Sequence, residues 1–179
     1  MPTARRSRTI SASPDELWEL IGDPHHLPRW WPRVTRVEDV EGGAFTEVFA
    51  TRKGRLVRAD FDLVHRDESE HTLRWAQRVE GTPFGRVLKS AETEVRLTPA
   101  AAPHAADTAP SADTAPSADA AGTVSGENGA GGAPAATEVT IELRQALAGF
   151  FAHFGSLMVR RAAGQTIDEA LDGLARISG

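Results

Sequence analysis

The sequence predicts an α+β domain in which a curved antiparallel β-sheet wraps around a long C-terminal α-helix. Three observations predict this fold class: a strand and a short helix open the chain, about six runs of alternating apolar and polar residues follow, and an amphipathic helix ends it. Alternation of this kind is typical of antiparallel strands that bury one face and expose the other. Packing the helix on the apolar face of the sheet would bury both apolar surfaces.

The first elements are a strand at residues 5–12 and a short helix directly after it. Ser13 is predicted to be the N-cap, Pro14 occupies the first helical position, and Glu16 stands where it completes a capping box. Apolar residues at helical spacing follow, and Gly22 is expected to end the helix. A second short helical turn is expected before Pro28, which gives two short helices after the first strand.

The predicted strands that follow occupy residues 33–40, 45–52, 55–65, 71–80, 86–98 and 139–144. Short turns, most of them containing glycine, separate the first five of these strands. The run at 55–65 is the clearest, because its apolar residues at odd positions oppose charged residues at even ones. The terminal segment has apolar residues at spacings of three and four, which predicts the long helix. Gly164 within it predicts a kink or break.

Residues 99–136 differ in composition from the rest of the chain, being rich in Ala, Pro, Ser, Thr, Asp and Gly. Such a segment cannot bury enough apolar surface to offset the entropy of ordering it, so we expect a disordered loop inserted between the last two strands. Lengthening a loop about tenfold costs only roughly 2 kcal/mol of closure entropy. Residues 1–98 and 137–179 are therefore predicted to form a single domain.

Composition excludes several classes of function. The chain has no cysteine, which excludes a disulfide framework, a thiolate metal site and a cysteine nucleophile. The net charge is −5, yet without the four acidic residues of 99–136 the chain has 21 acidic and 20 basic residues. Nucleic-acid binders generally carry a basic excess, so we expect no nucleic-acid partner. We read no signal peptide or membrane-spanning segment, and expect a cytoplasmic protein without integral membrane association.

The order of these elements and two motifs resemble the START-like superfamily, which in bacteria includes proteins labelled polyketide cyclase/dehydrase or SRPBCC. The motifs are Ser13-Pro14-Asp15-Glu16-Leu17-Trp18 and Leu27-Pro28-Arg29-Trp30-Trp31-Pro32. The resemblance covers nearly all of the chain outside 99–136. It implies a helix-grip fold with a cavity between the sheet and the long helix, and binding or transformation of apolar molecules, including lipids.

Ten residues are candidates for ligand binding in such a cavity. The aromatic candidates for its wall are Trp30, Trp31, Phe61, Trp75, Phe150 and Phe154. Four polar residues fall among apolar neighbours on predicted inner faces, namely Gln77, Lys89, Thr93 and His153. An inner polar group needs a partner or a ligand. The alternative is that the aromatic residues fill the core and the polar side chains reach water at the rim of the sheet.

The other candidate sites have less support from the sequence. His25 and His26 are adjacent and therefore point about 100° apart on a helix, so we expect no metal site there. Asp60 and Asp62 share the polar face of their strand, which predicts surface positions rather than an acid–base pair. No glycine-rich loop precedes a helix in the manner of a phosphate-binding site, and we expect no cofactor.

Three functions follow as hypotheses. The first is binding of a small hydrophobic or aromatic ligand in an internal cavity. The second is a polyketide cyclase or dehydratase activity, with His153 or Lys89 moving protons, although the chain has no tyrosine to serve as a phenolic acid. The third is a protein-interaction module that uses the loop at 99–136. No catalytic residue is assigned, and the oligomeric state is left open.

Overall fold

One antiparallel sheet of seven strands forms the body of the protein. The computed structural model describes residues 2–51, 53–100, 136–149 and 156–179. The strands are β1 (Thr3–Ile10), β2 (Val34–Glu41), β3 (Ala44–Ala50), β4 (Leu56–Asp67), β5 (Thr72–Gln77), β6 (Leu88–Pro99) and β7 (Thr137–Leu147). Their order in the sheet is β1-β7-β6-β5-β4-β3-β2. From β2 onward each strand pairs with the next one in the chain, and β1 is added beside β7 at the far edge.

The helices occupy the positions that the sequence predicts. Two short helices, α1 (Pro14–Gly22) and α2 (Leu27–Trp30), follow β1, and a long one, α3 (Ser156–Ile177), ends the chain. Single 3-10 turns lie at Pro24–His26 and Pro83–Arg86. The α+β fold with a curved sheet around a C-terminal helix is therefore confirmed.

The start of α1 is fixed by the predicted capping box. The backbone N–H of Ser13 donates to Glu16 Oε2 over 2.9 Å, and the backbone N–H of Glu16 donates to Ser13 Oγ over 3.3 Å. These two bonds satisfy donors that a helix N-terminus otherwise leaves free. Leu17, Trp18 and Ile21 then turn inward and join the core beneath the sheet.

Helix α3 closes the core over one end of the sheet, where it packs on β1 and β7 and also contacts α2. Ile167, Leu171 and Leu174 on its inner face are completely or almost completely buried. Gly173 lets α2 approach closely, because a Cβ atom there would lie 2.4 Å from the carbonyl oxygen of Trp30. Helix α3 continues through Gly164, so the predicted break there is wrong, and the alternative of a kink stays a prediction.

Strands β6 and β7 form a hairpin at the point where the long insertion was predicted. Their pairing runs to Pro99 and Thr137, and the backbone N–H of Ala100 donates to the carbonyl oxygen of Ala136 over 2.8 Å. Residues 101–135 lie outside the described residues, so the disordered insertion and the division of the chain into one domain and a loop stay predictions. Across the ranges that the structure describes, no helix is long and apolar enough to cross a membrane.

Candidate functional site: a cavity between the sheet and the terminal helix

A cavity of about 500 Å³ lies between the inner face of the sheet and α3. Strands β3 to β7 each contribute side chains to its wall, and α3 covers it with small or neutral side chains that include Val159, Ala163 and Thr166. Arg33 and Val87 also belong to the lining and are exposed, so the cavity is open to solvent on that side. Most of the wall is apolar.

The size of the cavity suits a small organic molecule. Ligand sites in proteins typically enclose about 300–1,000 Å³. An apolar cavity of roughly 150 Å³ is enough to hold benzene, so 500 Å³ gives room for a molecule of several rings.

Five of the predicted residues lie together in this wall: Trp31, Phe61, Trp75, Gln77 and Thr93. The register of the sheet brings them side by side, because Phe61 is paired with Gln77 and Trp75 with Thr93. Thr93 is buried, and Gln77 is half-buried. The period-two alternation of β4, β5 and β6 thus places the predicted aromatic and polar side chains on one surface.

Trp30 belongs to the core rather than to this cavity. Its side chain is 2% exposed and its backbone lies against Gly173 of α3. It contacts Trp31 edge to face, with ring centroids 5.3 Å apart, and Trp31 in turn contacts Trp75 at 6.0 Å. Trp30 therefore packs behind Trp31, which lines the cavity.

Lys89 does not lie on the inner face where the sequence analysis placed it. The pairing of β6 with β7 shifts register between Leu88 and Ser90, which is the position of a β-bulge. The extra residue reverses the alternation, so Leu88 lines the cavity and Lys89 is exposed. Phe150, His153 and Phe154 lie outside the described residues.

Glu47 was not among the residues predicted from the sequence, and it is the one acidic residue in the lining of this cavity as the described residues form it. Glu47 is in the middle of β3, is 5% exposed, and is paired in register with Val37 of β2 and Ala59 of β4. Its Oε1 atom is buried without a hydrogen-bond partner among the described residues. A signal for it was present, because Glu47 alternates with Phe45 and Phe49, which are also on the inner face.

Burial raises the pKa of Glu47 from its ordinary value of 4.5 to about 8. The side chain is therefore mostly a neutral carboxylic acid at pH 7. In that form it carries an O–H donor, which an ionised carboxylate lacks. Glu47 thus adds to a mostly apolar wall an acidic hydrogen-bond donor that holds its proton near neutral pH.

Asp60 and Asp62, which the sequence predicts to be surface residues, face away from the cavity. Asp62 accepts a hydrogen bond from Nε of Arg78 over 2.7 Å, and this bond lowers the pKa of Asp62. Asp60 accepts a hydrogen bond from Oγ1 of Thr46 over 2.7 Å. Within the described ranges, no group of three or more His, Asp or Glu side chains is arranged to hold a metal ion.

A smaller cavity of about 260 Å³ lies towards the other end of the sheet. Its wall includes Ile21, Leu27, Phe45 and Leu63, and Trp75 contributes to both cavities. The Trp75 side chain therefore stands between two apolar spaces.

Comparison with solved structures shows the same fold. The di-domain ARO/CYC protein BexL of the BE-7585A biosynthetic pathway matches with a TM-score of 0.67 and 17% identity, over 98% of this chain and 46% of that one. A START superfamily protein from Mycobacterium smegmatis matches with a TM-score of 0.65 and 10% identity, over 98% and 96%. The aromatase/cyclase Zhui from Streptomyces sp. R1128 matches with a TM-score of 0.64 and 13% identity, over 98% and 92%.

Comparison with curated proteins gave no match. The family described as "polyketide cyclase / dehydrase and lipid transport" matches residues 1–179. The resemblance of the N-terminal motifs, the helix-grip architecture and this match agree. The chain belongs to the polyketide cyclase/dehydrase and lipid transport family.

Proposed function

We propose that the protein binds a small hydrophobic or aromatic molecule in the cavity between the sheet and α3. The observation that carries this proposal is the cavity itself, which has a volume of about 500 Å³ and is walled by Trp31, Phe61 and Trp75. An apolar space of this size inside a folded domain forfeits the contacts that tight packing would provide. A ligand that fills it would restore those contacts and remove its own apolar surface from water.

The proposal is tested with a neutral fluorescent probe, N-phenyl-1-naphthylamine, and a variant that fills the cavity. Ala91 lines the cavity on β6, so Ala91→Phe places a ring inside it. Ala76, which is paired in register with Asp62 on the outer face of the sheet, gives the matched control Ala76→Phe. Saturable binding to the wild type and to Ala76→Phe, with loss in Ala91→Phe, is the expected result. Equal binding to all three proteins, or to none, would contradict the proposal.

A second candidate is an acid–base reaction on a polyketide-like substrate, and Glu47 is the observation that favours it. A general acid works best when its pKa lies near the working pH, and burial raises the pKa of Glu47 to about 8. Turnover of poly-β-ketone substrates is measured for the wild type, Glu47→Gln and His153→Ala. These rates separate the two candidate functions, ligand binding and acid–base catalysis. Rates that are zero in the wild type as well leave binding without chemistry as the function.

The cytoplasmic location expected from the sequence is part of the same proposal. Fractionation of the producing cell, with the protein detected by antibody, tests it. Recovery from the membrane or secreted fraction would contradict it.

A further inference from the structure

Resting on the proposed function, we infer that the ligand carries an uncharged hydrogen-bond acceptor, such as a ketone oxygen, on its apolar framework, and that Glu47 donates a hydrogen bond to it. Glu47 is then the residue that selects among apolar molecules of similar size. The inference rests on the position of the side chain, on its missing partner and on the chemistry of the surrounding wall.

Glu47 brings to the cavity a buried carboxyl oxygen that has no hydrogen-bond partner among the described residues. The residues beside it in the sheet are Val37 and Ala59, whose side chains have no polar atom. The side chain is 5% exposed, its Oε1 has no partner in the part of the chain that the structure describes, and the residue lines the cavity. Buried polar groups in proteins are generally hydrogen-bonded, and leaving one unpaired is costly.

The surrounding groups favour a neutral ligand. The elements packed around the cavity present uncharged polar groups to it, Gln77, Thr93 and Gln145 from the sheet and Thr166 from α3, and the other charged lining residue is the exposed Arg33. An anionic ligand would be desolvated next to an acidic group. A cationic ligand would have to form an ion pair in an apolar wall, where the loss of hydration opposes the Coulomb attraction. A neutral acceptor pairs with the neutral acid without desolvating an anion and without forming an ion pair in the apolar wall.

Naphthalene and three derivatives with a substituent of similar size at position 2 test this inference: methyl 2-naphthyl ketone, 2-naphthoate and 1-(2-naphthyl)ethylamine. The ketone and the carboxylate differ by a methyl group in place of an oxygen, and the amine replaces the carbonyl by an ammonium group. Affinities for the wild type, Glu47→Gln, Glu47→Met and the exposed control Glu80→Gln are measured by calorimetry at pH 6 and pH 9. Thermal unfolding at each pH shows that the variants are folded.

The wild type is expected to bind the ketone most tightly at pH 6. Glu47→Met should lower the ketone-to-naphthalene affinity ratio about fivefold, because one hydrogen bond is lost. Glu47→Gln should keep the preference, since its amide retains a donor. Because the pKa of Glu47 is about 8, going from pH 6 to pH 9 should weaken ketone binding to the wild type about tenfold. Ketone binding to Glu47→Gln should not change, and Glu80→Gln should behave as the wild type.

The experiment distinguishes failure of the inference about Glu47 from failure of the proposed function. Naphthalene binding without a preference for the ketone, or a preference that survives in Glu47→Met, overturns the inference and leaves the proposed function in place. Tightest binding of the amine or of 2-naphthoate also overturns it. If none of the four molecules binds, the proposed function fails, and the inference fails with it.

Discussion

Replacing Glu47 by Gln should make the protein more stable, and more so as the pH rises. Burial raises the pKa of Glu47 to about 8 in the folded protein, from an ordinary value of 4.5. Between these two values the unfolded chain has lost the proton that the folded protein still holds. The folded state therefore binds more protons than the unfolded state, and its stability falls with increasing pH through this window. Glutamine has nearly the same shape and does not titrate.

The magnitude follows from the two pKa values. One unit of pKa corresponds to about 1.4 kcal/mol. From pH 5 to pH 8 the contribution of Glu47 to the free energy of unfolding should fall by roughly 3 kcal/mol. This change is a large part of the free energy of unfolding of a typical domain, which is roughly 5–15 kcal/mol. The advantage of Glu47→Gln over the wild type should therefore grow by about 1 kcal/mol per pH unit across this range.

Urea unfolding of both proteins at pH 5, 6, 7 and 8, followed by tryptophan fluorescence, measures this difference. The exposed glutamate Glu80 gives the matched control Glu80→Gln, whose profile should run parallel to that of the wild type. Parallel profiles for the wild type and Glu47→Gln would refute the reasoning. They would mean that Glu47 is ionised in the folded protein, and hence that it is solvated or paired in a way that the structure does not show.

Three further predictions concern packing, capping and the lining of the cavity. Gly173→Ala should lower the unfolding free energy by about 2 kcal/mol, because its Cβ would lie 2.4 Å from the carbonyl oxygen of Trp30; unchanged urea unfolding would contradict this contact. Ser13→Ala should cost about 1 kcal/mol through loss of the capping box, whose bonds measure 2.9 and 3.3 Å, and the same urea titration checks it. Leu88→Glu should abolish binding of N-phenyl-1-naphthylamine while Lys89→Glu leaves it unchanged, as judged by fluorescence; the reverse result would refute the position of the bulge.

Local signals sufficed for the fold because they agreed with one another. The capping box at Ser13 fixed the start of α1, and the alternation through Phe61 and Trp75 gave the inner face of the sheet correctly. Each of these features depends on neighbours within a few residues. A pattern of this kind can be read from one sequence, because period two or period 3.6 is set by the backbone.

Two parts of the site depended on more than local pattern. Lys89 was misplaced because a β-bulge adds one residue to β6, so the side chains before the bulge, Leu88 and Lys89, lie on the faces opposite to those that the alternation through Ala91 and Thr93 predicts. Glu47 was missed because a lone glutamate in a strand is normally exposed. Its burial depends on β2 and β4 on either side and on the cavity in front of it, which only the assembled sheet defines.

Proton binding and ligand binding at Glu47 are linked, so the two pH dependences proposed for this residue must agree. If the ketone binds only to the protonated side chain, bound ketone must raise the pKa of Glu47 above its value of about 8 in the free protein. A ligand present at a hundred times its dissociation constant stabilises the folded state by about 2.7 kcal/mol, and this gain would then shrink above pH 8 as the free protein ionises. Stability and affinity would thus both decline with rising pH through the same group, and Glu47→Gln would remove both dependences together. A variant that removed one of them and kept the other would show that the buried carboxyl and the ligand site are separate features of the fold.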